Sequence, residues 1–327
     1  MSPILVAVYR HVACAALAAT LLVGSAYADQ PSAVPRIGVL MPAVPAMEEG
    51  LRQGLQELGY IDGKNIIIDW RRSAGTDQEL RSLAADLLRS KAEIIVAAGT
   101  AATRAAMETT TTVPVVFHVG DPVARGFATS LARPGGNGTG VSVISSELIV
   151  KRLELLRQLM PRAKRVIFLG NPSNPMAIQL SDELQKAARR LGLRLDTLNA
   201  RNIPEIDTAM RKIQRRVADA CLVGGDLLFL AEKARIARAI RENRMPAVFA
   251  YREFHEDGAL MSYGPSLKAT MHSAAKYVDK ILKGAKPADL PIEQISKYDL
   301  VIDLRVAREM GITVPQELLF RADEVIR

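Results

Sequence analysis

The chain has 327 residues, 43 Lys+Arg against 35 Asp+Glu, and 49% hydrophobic residues. This length suits about two domains at roughly 100–200 residues each, and the composition excludes a disordered chain. Four His and two Cys leave too little material for a zinc cluster or a disulfide framework. The formal charge of +8 is read as a solvated basic surface, since no aromatic residues are interleaved with basic runs such as Arg211-Lys212 and Arg215-Arg216.

Arg10 precedes an apolar run from Val12 to Val23, and Ala26-Tyr27-Ala28 follows it. That is the layout of a secretory signal peptide cleaved after Ala28, and the run is shorter than the roughly 20 residues of a spanning helix. A lipoprotein signal at Cys14 fits less well, because His11 stands where an aliphatic residue belongs and the apolar run continues past the cysteine. Residues 1–28 are therefore expected to be a signal peptide, and the mature chain a periplasmic, soluble monomer. Its one remaining cysteine, Cys221, has no internal partner and sits in Ala220-Cys221-Leu222-Val223 as a small buried hydrophobe.

From Arg36 onward short apolar runs alternate with amphipathic segments. Strands are predicted at Ile37–Met41, Asn65–Trp70, Ile94–Ala97 and Val113–His118. Helices are predicted at Met47–Leu58 and Asp77–Leu88, with another starting at Thr100–Met107. The stretch from Arg133 to Gly140 reads as a loop by composition. The pattern then restarts, with helices at Leu148–Met160, Met176–Leu191, Glu205–Val217 and Lys233–Asn243. Strands fall at Arg165–Gly170, Leu193–Leu198, Ala220–Val223, Ala247–Tyr251 and Leu260–Tyr263. A long helix over Leu267–Leu282 closes at Gly284, and apolar stretches follow near Ile292–Ile295 and Leu300–Leu304. Strands spaced by helices imply parallel sheets with helices on both faces. The expected fold is α/β with two similar lobes: one of residues 36–145 plus about 264–290, one of residues 146–263. The crossover tail 291–327 is left unassigned to either lobe.

In such sheets ligands bind beyond the carboxyl ends of the strands. The residues there are Met41, Gly99-Thr100, Gly120-Asp121-Pro122, Asn171-Pro172-Ser173-Asn174, Gly224-Gly225-Asp226, Tyr251-Arg252 and Ser262-Tyr263-Gly264. Thr100 offers a hydroxyl at a helix N-terminus, suited to an anion, or it caps its own helix. Asp226 can accept hydrogen bonds from an ammonium, or act as a helix cap. Asp121-Pro122 suits a turn.

Enzyme patterns are missing. The glycines from 135 to 140 match neither G-x-G-x-x-G nor a phosphate loop, and there is no G-x-S-x-G or H-E-x-x-H. His255-Glu256-Asp257 reads as a polar turn rather than a metal site.

Several segments carry a resemblance that covers about Arg36 to Arg327. They include Arg36-Ile37-Gly38-Val39-Leu40, Gly54-Leu55-Gln56-Glu57-Leu58-Gly59-Tyr60, Ala98-Gly99-Thr100 and Val119-Gly120-Asp121-Pro122-Val123. Lys151-Arg152-Leu153-Glu154-Leu155-Leu156, Asn171-Pro172-Ser173-Asn174-Pro175 and Leu260-Met261-Ser262-Tyr263-Gly264 belong to the same set. The chain resembles the tryptophan-binding-protein-like (TrpX-type) family of ABC transporter substrate-binding proteins. The resemblance implies a type I periplasmic-binding fold and no catalysis, cofactor or nucleic acid. It implies a small-molecule ligand, most simply an amino acid or related carboxylate, delivered to the transmembrane subunits of an ABC permease. Strand-end positions would contact that ligand, here Thr100, Asp121, Asn171 and Asp226, with Met41 and Gly99 beside them. Phe117, Phe229, Tyr251 and Tyr263 are the aromatic residues near the strand ends; two of them, with Tyr251 and Tyr263 the candidates, stack on a ring of the ligand, or all four are core. Hinges are expected near Val141–Glu147, Ser262–Pro265 and Pro287–Lys297. A ligand-binding partner of a membrane sensor uses the same fold, whereas a hydrolase or lyase needs a catalytic group that the sequence does not offer.

Overall fold

The alternation of apolar runs and amphipathic segments folds as an α/β protein. The computed structural model describes residues 34–73, 75–143, 145–174 and 176–327. The expected signal segment, with Cys14 and Ala28, lies outside the described residues.

The first half of the chain gives β1 (Arg36–Met41), α1 (Pro45–Glu57), β2 (Ile67–Arg72), α2 (Asp77–Arg89), β3 (Ile94–Ala98), α3 (Thr100–Thr109), β4 (Val115–Gly120) and β5 (Gly138–Val143). Next come α4 (Ser145–Leu159), β6 (Arg165–Gly170), α5 (Met176–Arg190), β7 (Arg194–Asn199), α6 (Ile203–Lys212) and β8 (Ala220–Val223). They are followed by α7 (Leu227–Ala231), α8 (Lys233–Glu242), β9 (Ala247–Phe249), a 3-10 segment at Arg252–Asp257 and β10 (Met261–Gly264). The chain closes with α9 (Leu267–Leu282), β11 (Glu293–Ile295), β12 (Asp299–Asp303), α10 (Leu304–Met310), α11 (Gln316–Arg321) and β13 (Glu324–Ile326). Local chemistry explains many boundaries. Thr76 caps α2 by accepting from the Glu79 N–H, and Leu80, Ala84 and Leu87 form its buried stripe.

The described strands form two sheets. The first runs in the order β11-β5-β4-β3-β1-β2 and is parallel throughout. The second runs β13-β12-β10-β9-β8-β6-β7, with β12 antiparallel to β10 and the other pairs parallel. The inner strands such as β1, β3, β6 and β8 are buried on both faces, which is why they read as near-continuous apolar runs. On the first sheet Val39, Met41, Val96 and Val116 pack with Met47 and Leu51 of α1 and Met271 and Ala274 of α9. The opposite face packs Leu40, Ile95 and Ala97 against Leu80, Leu87 and Ala106. In the second sheet Phe168, Leu222, Val248 and Ile302 meet Ile149, Leu153 and Leu156 of α4. Cys221 is fully enclosed on the other face, and burial pushes its thiol up to about 12.

The chain passes between the sheets three times among the described elements. β5 lies in the first sheet, while α4 packs on β8, β9 and β10 of the second. β10 lies in the second, while α9 returns to α1, β4 and β5. Side-chain bonds fasten α9 there: Tyr60 Oη donates to Asp279 Oδ1 at 3.0 Å, and Lys268 Nζ lies 2.6 Å from Glu49 Oε1. β11 then joins the first sheet and β12 the second. The C-terminal tail is therefore divided between the two sheets.

Candidate functional site

Loops that follow the strands of the first sheet meet loops that follow the strands of the second. After β3 the backbone turns through Gly99, whose φ of 90° belongs to a region L side chains rarely adopt. A Cβ on Gly99 would stand only 3.0 Å from Cδ1 of Leu227, the first residue of α7. The absence of a side chain therefore lets the two lobes approach here. Gly99 is also the cap position of α3 and has no side chain to bond the first turn, so Thr100 begins the helix half-buried, with its hydroxyl not used as a cap.

Asp226 anchors a polar chain that spans the lobes. Its Oδ1 accepts from the Leu228 N–H at 3.0 Å and caps α7, while its Oδ2 accepts from Asn174 Nδ2 at 3.2 Å. Asn174 Oδ1 in turn accepts from Arg125 Nη1 at 3.1 Å. Asn174 follows β6 and Arg125 follows β4, so carboxylate, amide and guanidinium link one lobe to the other. Arg125 also donates from Nε to the Gly120 carbonyl. Burial lowers the Arg125 guanidinium to about 10, and neighbouring Arg104 acts in the same direction; Asp121 and Asp226 oppose them. The group remains a cation at neutral pH.

Asp121 has a φ of 46°, uncommon for a non-glycine residue, and its Oδ1 accepts from the Ala124 N–H at 3.2 Å. It fixes the turn and supplies negative charge beside Arg125. Asn171 similarly accepts from the Ser173 N–H at 3.0 Å and shapes its own loop. The residue that reaches across is Asn174, three positions later.

A second polar group lies at the strand ends of the second sheet. Arg152 of α4 is 4% exposed and donates from Nε to the Tyr263 carbonyl at 2.6 Å. A helical side chain leans toward the N-terminus of its helix. For α4 that is the end next to the crossover from β5, so the guanidinium reaches the ends of β8, β9 and β10. Its Nη1 is 3.6 Å from where a Cβ of Gly225 would stand, and Nη2 is 3.4 Å from that of Gly264. The Tyr251 hydroxyl lies 3.6 Å from the same Gly225 position. Desolvation brings Arg152 down to about 10, and burial likewise raises the Tyr251 phenol. Tyr263 is half-buried, with its ring centroid 6.0 Å from that of Tyr298.

Met41 is a core residue rather than a surface of this region: it is fully enclosed, with Val39 and Ala98 among its cluster. Phe117 and Phe229 are enclosed too, which leaves Tyr251 and Tyr263 as the partly accessible aromatics of the four. Arg125, Asn174 and Arg152 were not singled out by sequence reasoning. Arg152 did carry a signal, because it lies on the apolar stripe of Ile149, Leu153 and Leu156, where a charged residue needs a reason. Surface grooves are bordered by Asp207, Arg211, Arg235 and Arg238, and by Ala43 with the Glu48, Arg52 and Gln56 face of α1.

The chain is similar to known proteins over most of its length. It is 26% identical over 263 residues to a tyrosine-binding protein of Clostridioides difficile (strain R20291), covering 80% of this chain and 75% of the relative. A conserved domain protein from Vibrio cholerae superposes with a TM-score of 0.83 at 27% identity, covering 89% of this chain and 99% of that one. An ABC domain from Streptococcus pneumoniae in complex with L-Trp superposes with a TM-score of 0.82, also at 27% identity and with the same coverage. Residues 37–326 match the family described as ABC transporter substrate binding protein, with two α/β lobes of the type I periplasmic-binding fold, and the chain belongs to that family.

Proposed function

We propose that this protein is the exported solute-binding component of an ABC importer, and that it captures an α-amino acid between its lobes for delivery to a membrane permease. The observation that carries this reading is the Asp226–Asn174–Arg125 chain, which closes the strand-end loops of one lobe on those of the other. Ligands bind at such strand ends in parallel α/β sheets. The region offers the complementary groups of a zwitterion: cationic Arg125 and Arg152, anionic Asp226 and Asp121, and a free helix start at Thr100. Tyr251 and Tyr263 supply ring faces, and the ligands named for two relatives, tyrosine and L-Trp, favour an aromatic side chain.

The mechanism involves no bond making. Ligand entering an open cleft touches both lobes, binds the closed arrangement more tightly, and shifts the population toward it. The closed form then docks on the permease. In this reading residues 36–145 with about 264–290 make one lobe and residues 146–263 the other, and the signal peptide is removed after Ala28. A ligand at a hundred times its Kd stabilises the fold by about 2.7 kcal/mol, a melting shift of several degrees. A thermal-shift screen of the mature protein against amino acids, organic acids, sugars and metal ions tests the reading. A shift with aromatic amino acids is expected; shifts confined to sugars or metal ions would reject it.

A further inference from the structure

We infer that Arg152 is the anion anchor of the cleft, its Nη1–Nη2 fork taking the carboxylate of the ligand. The inference rests on the cleft reading above and deepens it.

The fold has little structural use for this charge. A buried guanidinium is costly unless a partner compensates it. Where the second lobe buries a carboxylate for its own stability it supplies the partner directly: Asp303, fully enclosed, pairs with Arg305 at 2.8 Å. Arg152 is different. Its only hydrogen bond among the described residues is from Nε to the Tyr263 carbonyl, and the titratable groups around it are the neutral phenols of Tyr251, Tyr263 and Tyr298 rather than carboxylates. That single bond fixes the plane of the guanidinium, and among the described residues neither terminal nitrogen has a hydrogen-bond partner. The positions nearest them are glycines: Gly264 is buried against the Ala250 carbonyl, while Gly225, beside Nη1, is exposed, so the approach to the fork is narrow and lies past Gly225.

A planar fork with two free N–H edges matches a carboxylate in bidentate geometry. The surroundings match the rest of an amino acid. Arg152 Nη1 and the Tyr251 hydroxyl each lie 3.6 Å from the Cβ position of Gly225, and Asp226 is the next residue of the chain, so a cation, a hydroxyl and an anion gather at the end of β8. A zwitterion with its carboxylate on Arg152 and its ammonium toward Asp226 uses both charges. Thr100 offers only the partial charge of a helix start, so Arg152 supplies the larger discrimination between a charged and a neutral end.

The test is isothermal titration of the mature protein with L-tyrosine and L-tryptophan and with the corresponding amides, which keep the ammonium and ring but lose the carboxylate. The wild type is expected to prefer acid to amide by about 100-fold, the scale of a charged hydrogen-bonded contact. In Arg152→Gln that preference should fall to about threefold or less, with amide binding little changed. Arg152→Lys, which keeps the charge without the fork, should fall between, and it carries the test if the glutamine variant does not fold. A variant that binds acid and amide more weakly by the same factor would overturn the anchor and leave the cleft reading standing, as would a wild type that binds both equally. A wild type that binds neither acid nor amide overturns the amino-acid reading and this inference together.

Discussion

Arg125, carried by the loop after β4, donates to Oδ1 of Asn174, carried by the loop after β6, at 3.1 Å. The bond joins lobes whose sheets share no strand, so it belongs to the closed arrangement rather than to either core. Arg125→Gln or Asn174→Ala should therefore leave the melting temperature of the mature protein within about 2 °C, because each lobe keeps its own packing. The same changes should weaken ligand binding about 5- to 30-fold, because each removes the cross-lobe bond together with one bond inside a lobe, Arg125 Nε to the Gly120 carbonyl or Asn174 Nδ2 to Asp226. Calorimetric titration beside a melting curve separates the two effects; equal loss in both would assign the bond to folding.

Asp226 both caps α7 and accepts from Asn174. Asparagine caps a helix about as well as aspartate, whereas alanine does not. Asp226→Asn should therefore retain stability to within about 0.5 kcal/mol and lose affinity for an amino acid at least about tenfold, while Asp226→Ala should lose about 1 kcal/mol in addition. Urea denaturation and titration of both variants check this. Full affinity in Asp226→Asn would mean that the carboxylate is a cap alone.

Gly99 is held at a φ of 90° against Leu227. Gly99→Ala should cost about 1–3 kcal/mol from backbone strain and should also obstruct closure. Adding Leu227→Ala removes the obstruction but not the strain, so the double variant should recover affinity without recovering stability. Parallel recovery of both would place the whole effect in the backbone.

Two buried histidines, His118 and His255, are each lowered by burial to about 4 from an ordinary value near 6.5. Each is neutral in the folded chain, and unfolding lets it take up a proton anywhere below about 6.5. Stability is thus fully present above the unfolded value and is lost as pH falls from 6.5 toward 4. The slope approaches about 1.4 kcal/mol per pH unit for each histidine. Urea midpoints at pH 7, 6 and 5 should fall steadily, and His118→Gln should remove about half of that fall between pH 6 and 5. A flat profile through this window would contradict the assignment.

The lobes were legible in the sequence because strands buried on both faces keep an apolar run whatever their neighbours. Ile94–Ala98 and Ala220–Val223 are of this kind. The strand Gly138–Val143 was hidden inside a glycine-rich loop, and the reason is steric: a Cβ on Gly140 would lie 2.2 Å from the Phe117 carbonyl of β4, so a residue that reads as a breaker is what the close strand approach requires. The short elements α10, α11 and β13 have too few residues to show a period. At the site, the rule of strand ends reached the right loops but not always the right residue. Asn171 shapes the loop, and the cross-lobe bond falls to Asn174, a distinction set by turn geometry. Arg152 was out of reach of that rule because it comes from a helix, and only packing reveals that its guanidinium arrives at the ends of β9 and β10.

The central claim, capture of an amino acid between closing lobes, is tested most directly by small-angle X-ray scattering of the mature protein with and without L-tyrosine or L-tryptophan, run beside a calorimetric titration. One ligand per chain and a fall in the radius of gyration on saturation are predicted, with the ligand concentration at half-completion of the fall raised about 5- to 30-fold in Arg125→Gln. Saturable binding with an unchanged scattering profile, or no binding of either amino acid, would contradict it.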